Sequence, residues 1–545
     1  MAEGLKWHSI PAIDRGLNSM LHPSQIRDNE ASYADGVIFE PGEFKSRPGF
    51  RYIGEDGSNW PLSGTPRFLD SLHFADPSTQ DKTICITTFA NSGRVYELNT
   101  TSNVWSNITL AAGFNPGDAV GGPYTGAYYQ TESESEAWYL TNGGDVLRYD
   151  GSGGVASVTI LTGASNYDHS TDNHQARCVA MFANRLWLGV TIENAVTKHR
   201  RLRYSTVDAP GTWESTTYID LNDDARSIRA LYAYGDALVA FKRDTIYEIR
   251  PTDNGSAPFR KSRTVSGLGV LGNRSVVETP IGLIFLDSEC QDFYAYDGSP
   301  TPRSMGARVL LRGVTPLINQ GADTQVIGAV DPQVRRVYFA VPIYGRKFAS
   351  SSTYRPHLVL IYDLKLDKWE RYEIPAYGLG FHPKAANTPW TDLEGTWAEQ
   401  TWRWVDGQAL AGFPQLLLST ADGYTRIASP YHSRDEGTVG TDNHADAGVM
   451  LKKEYIRPVD VPKGASFGIQ ELRITGTILG ARVVLETDNG YASVEPSFRN
   501  GTYRWTNIDL HGEYAHFTIQ RRAGQIEPFI VRNIELGYLY ESETD

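Results

Sequence analysis

The sequence predicts an all-β protein: a β-propeller of about seven blades, with six to eight compatible with the pattern, followed by a small antiparallel β-sandwich-like domain. Three observations predict it. Tyr (30) and Gly (52) are plentiful among 545 residues while Met (5) is scarce, a balance that favours strands and turns over helices. No helical apolar period of 3.6 residues is sustained beyond about three turns. Finally, one strand–turn–strand unit recurs, in its clearest form from His357 to Ile374. There an apolar run up to Tyr362 meets a polar turn at Asp363 to Lys368, and Trp369 opens an alternating run. Such a hairpin is marginal alone, so its apolar face needs neighbours, and the chain supplies them by repetition.

Residues 1–53 precede the array. Val37 to Phe44 reads as a strand, a Pro41-Gly42 turn and a second strand, with the stretch ending at Phe50. An orphan hairpin at the start of a closed repeat commonly completes the last repeat, so it is expected to pair near 415–428 and remove two raw sheet edges. The propeller is assigned to 54–432. Its apolar strands are Thr83 to Phe89, Ala137 to Leu140, Arg185 to Val190, Ala237 to Phe241, Gly282 to Leu286, Arg336 to Val341 and Gln415 to Ser419. Each precedes a tyrosine, at Tyr96, Tyr149, Tyr204, Tyr247, Tyr296, Tyr362 and Tyr424, with successive spacings of 53, 55, 43, 49, 66 and 62 residues. Four-stranded propeller blades repeat every ~40–50 residues, so some loops are enlarged. A Trp opens or nears the outer strand at Trp105, Trp213 and Trp369. An aromatic, broken stretch with Trp390, Trp397, Trp402 and Trp404 is expected to pack on the protein or a partner. After a polar linker at 433–448, residues 449–545 hold six alternating strands: Met450 to Ile456, Phe467 to Ile478, Ala481 to Thr487, Tyr503 to Leu510, Tyr514 to Gln520 and Ile530 to Tyr540.

Lys plus Arg number 51 against 64 Asp plus Glu, a net charge of −13, the wrong sign for gripping nucleic acid over a broad surface. Cys85, Cys178 and Cys290 lie in or beside apolar runs without CxxC spacing, so they read as core rather than disulfides or zinc ligands. No stretch approaches the ~18 apolar residues of a membrane helix, and the expectation is a chain made in a cytosol without membrane insertion.

Candidate chemistry is sparse. Thr206-Val207-Asp208-Ala209-Pro210-Gly211-Thr212-Trp213 nearly matches the Asp-box turn of sialidases, with Pro210 in the glycine position; even a perfect Asp-box is a structural turn. His169, Asp172 and His174 form the best metal-like group but sit in a polar loop without the spacing of a known site. Lys198-His199-Arg200-Arg201-Leu202-Arg203 is the densest basic run, and Gln520-Arg521-Arg522 a smaller one; each reads as a solvated, charge-guarded edge before it reads as a phosphate contact. No nucleophile elbow, P-loop or dinucleotide fingerprint occurs. The sequence therefore assigns no catalytic residue, no cofactor, no metal and no enzymatic activity.

Gly16-Leu17-Asn18, Asp28-Asn29-Glu30-Ala31 and Gly42-Glu43-Phe44-Lys45-Ser46-Arg47-Pro48-Gly49-Phe50, with the Trp390 to Trp397 stretch and the sandwich-like ending, resemble the tail hub or nozzle proteins (tail tubular protein B-like) of short-tailed bacteriophages. The resemblance implies a structural virion protein assembled in the host cytoplasm. It implies a homohexameric ring below a head-to-tail adaptor ring, a platform for fibres or spikes, and passage of double-stranded DNA through its lumen. An acidic wall suits a conduit, so Arg200, Arg201 and Arg203 are expected to face a partner or solvent rather than the bore. The alternative is a glycan-binding or glycan-hydrolysing propeller, suggested by the near Asp-box and the aromatic stretch at 390–404.

Overall fold

In the computed structural model, residues 5–540 are described except 12, 19–21, 48, 55–59, 76–80, 90–91, 100–103, 110–113, 115–123, 131–135, 153–157, 162–173, 256, 307–317, 320–324, 332–334, 348–353, 383–414, 421–422, 430–449, 479–480, 495–500 and 522–528. The described chain is all-β, and seven of its antiparallel sheets have four strands. The first comprises Thr65–Leu72, Lys82–Phe89, Ser92–Asn99 and Val104–Asn107. The second comprises Thr125–Tyr129, Ala137–Thr141, Leu147–Tyr149 and Val158–Ile160; the third, Cys178–Phe182, Arg185–Glu193, Val196–Tyr204 and Tyr218–Asp220. The fourth holds Ile228–Tyr234, Ala237–Lys242, Thr245–Pro251 and Phe259–Ser266; the fifth, Val276–Thr279, Gly282–Leu286, Phe293–Tyr296 and Arg303–Ser304. The sixth holds Ile327–Val330, Arg336–Lys347, Tyr354–Asp363 and Lys368–Tyr372, and the seventh Gly378–His382, Gln415–Ser419, Thr425–Ser429 and Gly49–Tyr52.

The apolar runs seen in the sequence are the second strand of each sheet, and their continuity has a direct cause. Side chains alternate between the two faces of a strand, and here both faces are covered. In Ala237–Lys242, Leu238 and Ala240 join the core shared with the third sheet, while Val239 and Phe241 join the core shared with the fifth. In Gly282–Leu286, Leu283 and Phe285 face back and Ile284 and Leu286 face forward in the same way. Apolar clusters connect first to second, second to third, and so on to sixth and seventh. A further cluster sets Leu417 and Ile427 of the seventh sheet against Leu69, Cys85, Tyr96 and Trp105 of the first. The result is a β-propeller-like arrangement. At that last seam the strands touch backbone to backbone: a Cβ on Gly380 would lie 2.2 Å from the Leu69 carbonyl oxygen.

Two larger sheets complete the fold. One orders Val37–Glu40, Glu43–Ser46, Ile530–Tyr540, Phe467–Thr477 and Gly501–Gly512, with Lys6–Ile10 also paired to Ile530–Tyr540. The other orders Tyr33–Asp35, Met450–Ile456, Ala515–Arg521, Ala481–Thr487 and Gly490–Val494. They enclose one core in which Ile10, Ile13, Val37, Phe39 and Phe44 mix with Ile469, Leu472, Phe517 and Leu536. Lys6–Ile10, Tyr33–Asp35 and Gly490–Val494 are strands that the sequence pattern does not show.

This placement corrects the expectation for the N-terminal hairpin. Val37–Glu40 and Glu43–Ser46 turn at Pro41-Gly42, with Gly42 at φ 77° as a type II turn requires, but they extend the C-terminal sheet through Ile530↔Lys45 and Val531↔Phe44. Only the next strand, Gly49–Tyr52, lies against Thr425–Ser429, in the register Ala428↔Phe50. The physical reason is the alternation: Phe39 and Phe44 are fully buried only where a second apolar sheet covers them, and that cover is the C-terminal core.

The two-sheet unit is anchored on the outer strand of the sixth sheet. The Phe39 amide donates to Glu370 Oε1 (3.1 Å), the Gly36 amide to the Arg371 carbonyl (2.9 Å), and the Glu373 amide to Asp35 Oδ1 (2.9 Å). Lys368 Nζ donates to the carbonyls of Asp14 and Phe39. Glu40 accepts from Arg335 (2.7 Å) and Arg336 (3.3 Å), which share Asp363.

Candidate functional site

The sequence-derived candidates resolve into structure. In the Asp-box-like stretch the Thr206 amide donates to the Thr212 carbonyl (2.9 Å) and the Thr212 amide to the Ala209 carbonyl (3.0 Å). Trp213, 1 % exposed, packs between the second and third sheets with its ring 5.3 Å from that of His174. This is a turn with a core anchor. His174 is itself buried, its amide donating to the Leu161 carbonyl (3.1 Å), while His169 and Asp172 lie outside the described residues, as do the tryptophans at 390, 397, 402 and 404 and the linker at 433–448. Among the described residues no group of three His, Cys, Asp or Glu could hold a metal ion.

The basic run is an internal ion-pair network on the third strand of its sheet. Arg201 grips Asp220 through two bonds (2.8 and 2.9 Å), reaches Glu193 (2.9 Å) and lies 3.8 Å from the centre of the Tyr218 ring. Arg203, 2 % exposed, makes a two-point contact with Glu193 (2.7 and 3.0 Å). Burial works against ionisation of Glu193, but hydrogen bonds from Arg203 and Thr191 and the two arginine charges outweigh it and hold its pKa below the ordinary value. Arg200 is exposed on the same strand, its Nη1 donating to the Asp224 carbonyl (3.4 Å). In the smaller basic run Arg521 is 8 % exposed, and Arg522 lies outside the described residues. Cys85, Cys178 and Cys290 are buried and form no disulfide, and burial pushes the thiols of Cys85 and Cys178 up, away from the reactive thiolate.

The concave feature that the sequence does not reveal is central. The first strands of the first six sheets line a cavity of ≈ 430 Å³ whose walls include Asp70, Tyr128, Trp138, Tyr232, Arg274 and Glu278. Two of those first strands, the four-residue Val276–Thr279 and the glycine-bearing Thr125–Tyr129, leave a weak alternation signal. Arg274 donates from Nη2 to Asp70 (3.2 Å) and to the Leu379 carbonyl (3.4 Å), with its guanidinium 4.8 Å from the Phe68 ring centre. Burial lowers the Arg274 pKa, opposed by Asp70 and Tyr232. Burial likewise raises the pKa of Asp70, opposed by Arg274 and by the amides of Phe381 and Ser71, each 3.0 Å away. Glu278 is exposed within the cavity, and burial alone raises its pKa. At the rim Ser71, Thr83 and His382 form a hydrogen-bonded chain (2.8 and 2.7 Å).

The geometry thus defines a β-propeller-like, all-β protein with an aromatic- and acid-lined central cavity. No protein-family model and no curated protein matches the chain. Among solved structures it is similar to an exo-β-1,3-galactanase from Phanerochaete chrysosporium, in two variants with β-1,3-galactotriose. Each shows 8 % identity and a TM-score of 0.25 over 90 % of this chain and 100 % of the other. It is also similar to a mutant puromycin hydrolase at 12 % identity and a TM-score of 0.34, over 59 % of this chain and 49 % of that one. The chain spans about half the length of the puromycin hydrolase. At these TM-scores the similarities support neither a shared activity nor a shared substrate.

Proposed function

We propose that the seven four-stranded sheets are the blades of one closed propeller, and that the chain is a structural virion protein: a ring-forming tail hub or nozzle below a head-to-tail adaptor ring. The observation that carries this reading is the weaving of both chain ends into one two-sheet unit fixed to the sixth sheet through Glu370, Glu40, Arg335 and Arg336. A conduit that transmits force between an adaptor and fibres needs two bodies that do not shear, and charge-assisted bonds in defined geometry supply that stiffness. Its net charge of −13 suits a wall that lets double-stranded DNA pass without holding it. The test is composition: mass spectrometry of purified phage particles encoding this chain, where the reading expects it as a stoichiometric tail component. Its absence from particles would rule the reading out.

A second reading, a glycan-binding or glycan-hydrolysing propeller, is favoured by one observation: Asp70 and Glu278 share the central cavity with Tyr128, Trp138 and Tyr232. Paired carboxylates beside aromatic rings are the ingredients of sugar recognition and glycosidic cleavage. A glycan array and a hydrolase screen decide, because the tail reading expects silence in both.

A further inference from the structure

The charged groups of the central cavity do not balance. Arg274 gives its Nη2 to Asp70 and the Leu379 carbonyl, with its buried Nη1 unpaired among the described residues, and Asp70 is further held by the amides of Ser71 and Phe381. Glu278 has no cation or hydrogen-bond donor among the described residues, and burial is the one influence on its pKa, which it raises. A carboxylate in a partly desolvated wall without a counter-charge is costly, and a bound cation relieves that cost.

The aromatic side chains that line the same cavity have already placed their polar ends. The Tyr232 hydroxyl donates to the Val276 carbonyl (2.7 Å), the Trp138 indole N–H to the His73 carbonyl (2.8 Å) and the Tyr128 hydroxyl to Glu136. What they offer the cavity is ring surface. Aromatic surface with one uncompensated carboxylate is the combination that selects organic ammonium groups, through charge and cation–π attraction together. A hard metal ion would instead need about six oxygen ligands, more than one free carboxylate provides. The volume of ≈ 430 Å³ lies within the ~300–1,000 Å³ of small-molecule pockets.

We propose that the central cavity is a binding site for a small organic ammonium ligand, with Glu278 as its counter-ion and Tyr128, Trp138 and Tyr232 as its aromatic wall. The site is independent of the tail reading. A free amine and an amino sugar share this chemistry, so the experiment separates them. Calorimetric titration of the full chain uses spermidine, tetramethylammonium, a glucosamine disaccharide and neutral cellobiose, each at ionic strength matched with NaCl.

The expected result is saturable binding of at least one ammonium compound, weakened at least tenfold by Glu278→Gln and also weakened by Trp138→Leu, with cellobiose silent. Glu278 makes no hydrogen bond or ion pair among the described residues, so the Gln variant should melt as the parent does, and the comparison is between folded proteins. Binding by the glucosamine disaccharide alone assigns the ligand to amino sugars; binding by spermidine or tetramethylammonium assigns it to free amines. Heats no larger than the NaCl control, equal affinity in the Gln variant, or equal binding of cellobiose would each overturn the proposal. The last outcome would favour the carbohydrate reading instead.

Discussion

The backbone amide of Phe39 donates to the buried carboxylate of Glu370 across 3.1 Å, tying the N-terminal hairpin to the outer strand of a sheet 331 residues away in sequence. Glu370 is 1 % exposed and also lies 3.6 Å from Arg336, so one side chain holds the two-sheet unit and balances a buried guanidinium.

Replacing it leaves the Phe39 amide without its acceptor, while Arg336 keeps Glu40 and Asp363. Glu370→Ala should destabilise the chain by about 1–3 kcal/mol, the cost of an unsatisfied buried donor. Urea titration followed by tryptophan fluorescence measures it, and a loss below about 1 kcal/mol would show that the anchor lies elsewhere.

The same junction should carry a pH signature. Burial raises the pKa of Asp35 from 3.8 to about 6, opposed by Arg371, the Glu373 amide and Arg47 and reinforced by the Glu373 charge. Because the folded value exceeds the unfolded one, the folded state keeps its proton while the unfolded state loses it between about pH 4 and 6. Stability from this site thus falls as pH rises through that window, by roughly 3 kcal/mol in total, and is flat above it. Asp35→Asn, which still offers an acceptor to the Glu373 amide, should be better tolerated at pH 7 than at pH 4. A difference in stability from the parent that is constant from pH 4 to 7 would contradict this.

At the seam between the seventh and first sheets, Thr425 Oγ1 donates to the Ile53 carbonyl (2.7 Å) and accepts from Trp105 Nε1 (3.1 Å). Thr425→Val should cost about 1–3 kcal/mol by weakening both contacts. Gly380→Ala should cost at least as much, since its Cβ meets the Leu69 carbonyl and backbone cannot swing aside. Deleting residues 1–53 removes Gly49–Tyr52 and four strands of the two larger sheets, and should give aggregating protein. A truncated chain that melts like the parent would show that the seam does not depend on it.

Arg203→Ala would leave Glu193, 4 % exposed, with only Arg201 and Thr191 among the described residues and should cost about 1–3 kcal/mol, whereas retention of duplex DNA by the isolated chain near physiological salt should be negligible before and after. Tight, salt-sensitive DNA binding lost in Arg200→Ala would overturn the assignment of this run as structural.

Much of the fold is legible in the sequence for one reason: strands covered on both faces are uninterrupted apolar runs, so Arg185–Glu193, Ala237–Lys242 and Gly282–Leu286 announce themselves. The first strands of the sheets are harder to see: Thr125–Tyr129 is short and carries Gly126 against the Leu140 side chain, and Gly378–His382 carries Gly380 against the Leu69 carbonyl. The hairpin at Val37–Ser46 shows its turn but not its partner, since pairing across nearly 500 residues leaves no local trace. For the basic run, charge density is visible while Glu193 and Asp220, which neutralise it, lie 8 and 19 residues from Arg201. The cavity depends on six sheets meeting, and no single stretch of sequence carries that signal.

Whether this chain builds the proposed ring is tested most directly by electron microscopy of the purified chain at micromolar concentration. Closed rings are expected, of about six copies by the resemblance to tail hub proteins, with one propeller-like body and one two-sheet unit per copy. A protein that stays strictly monomeric under those conditions and is absent from particles would contradict that proposal.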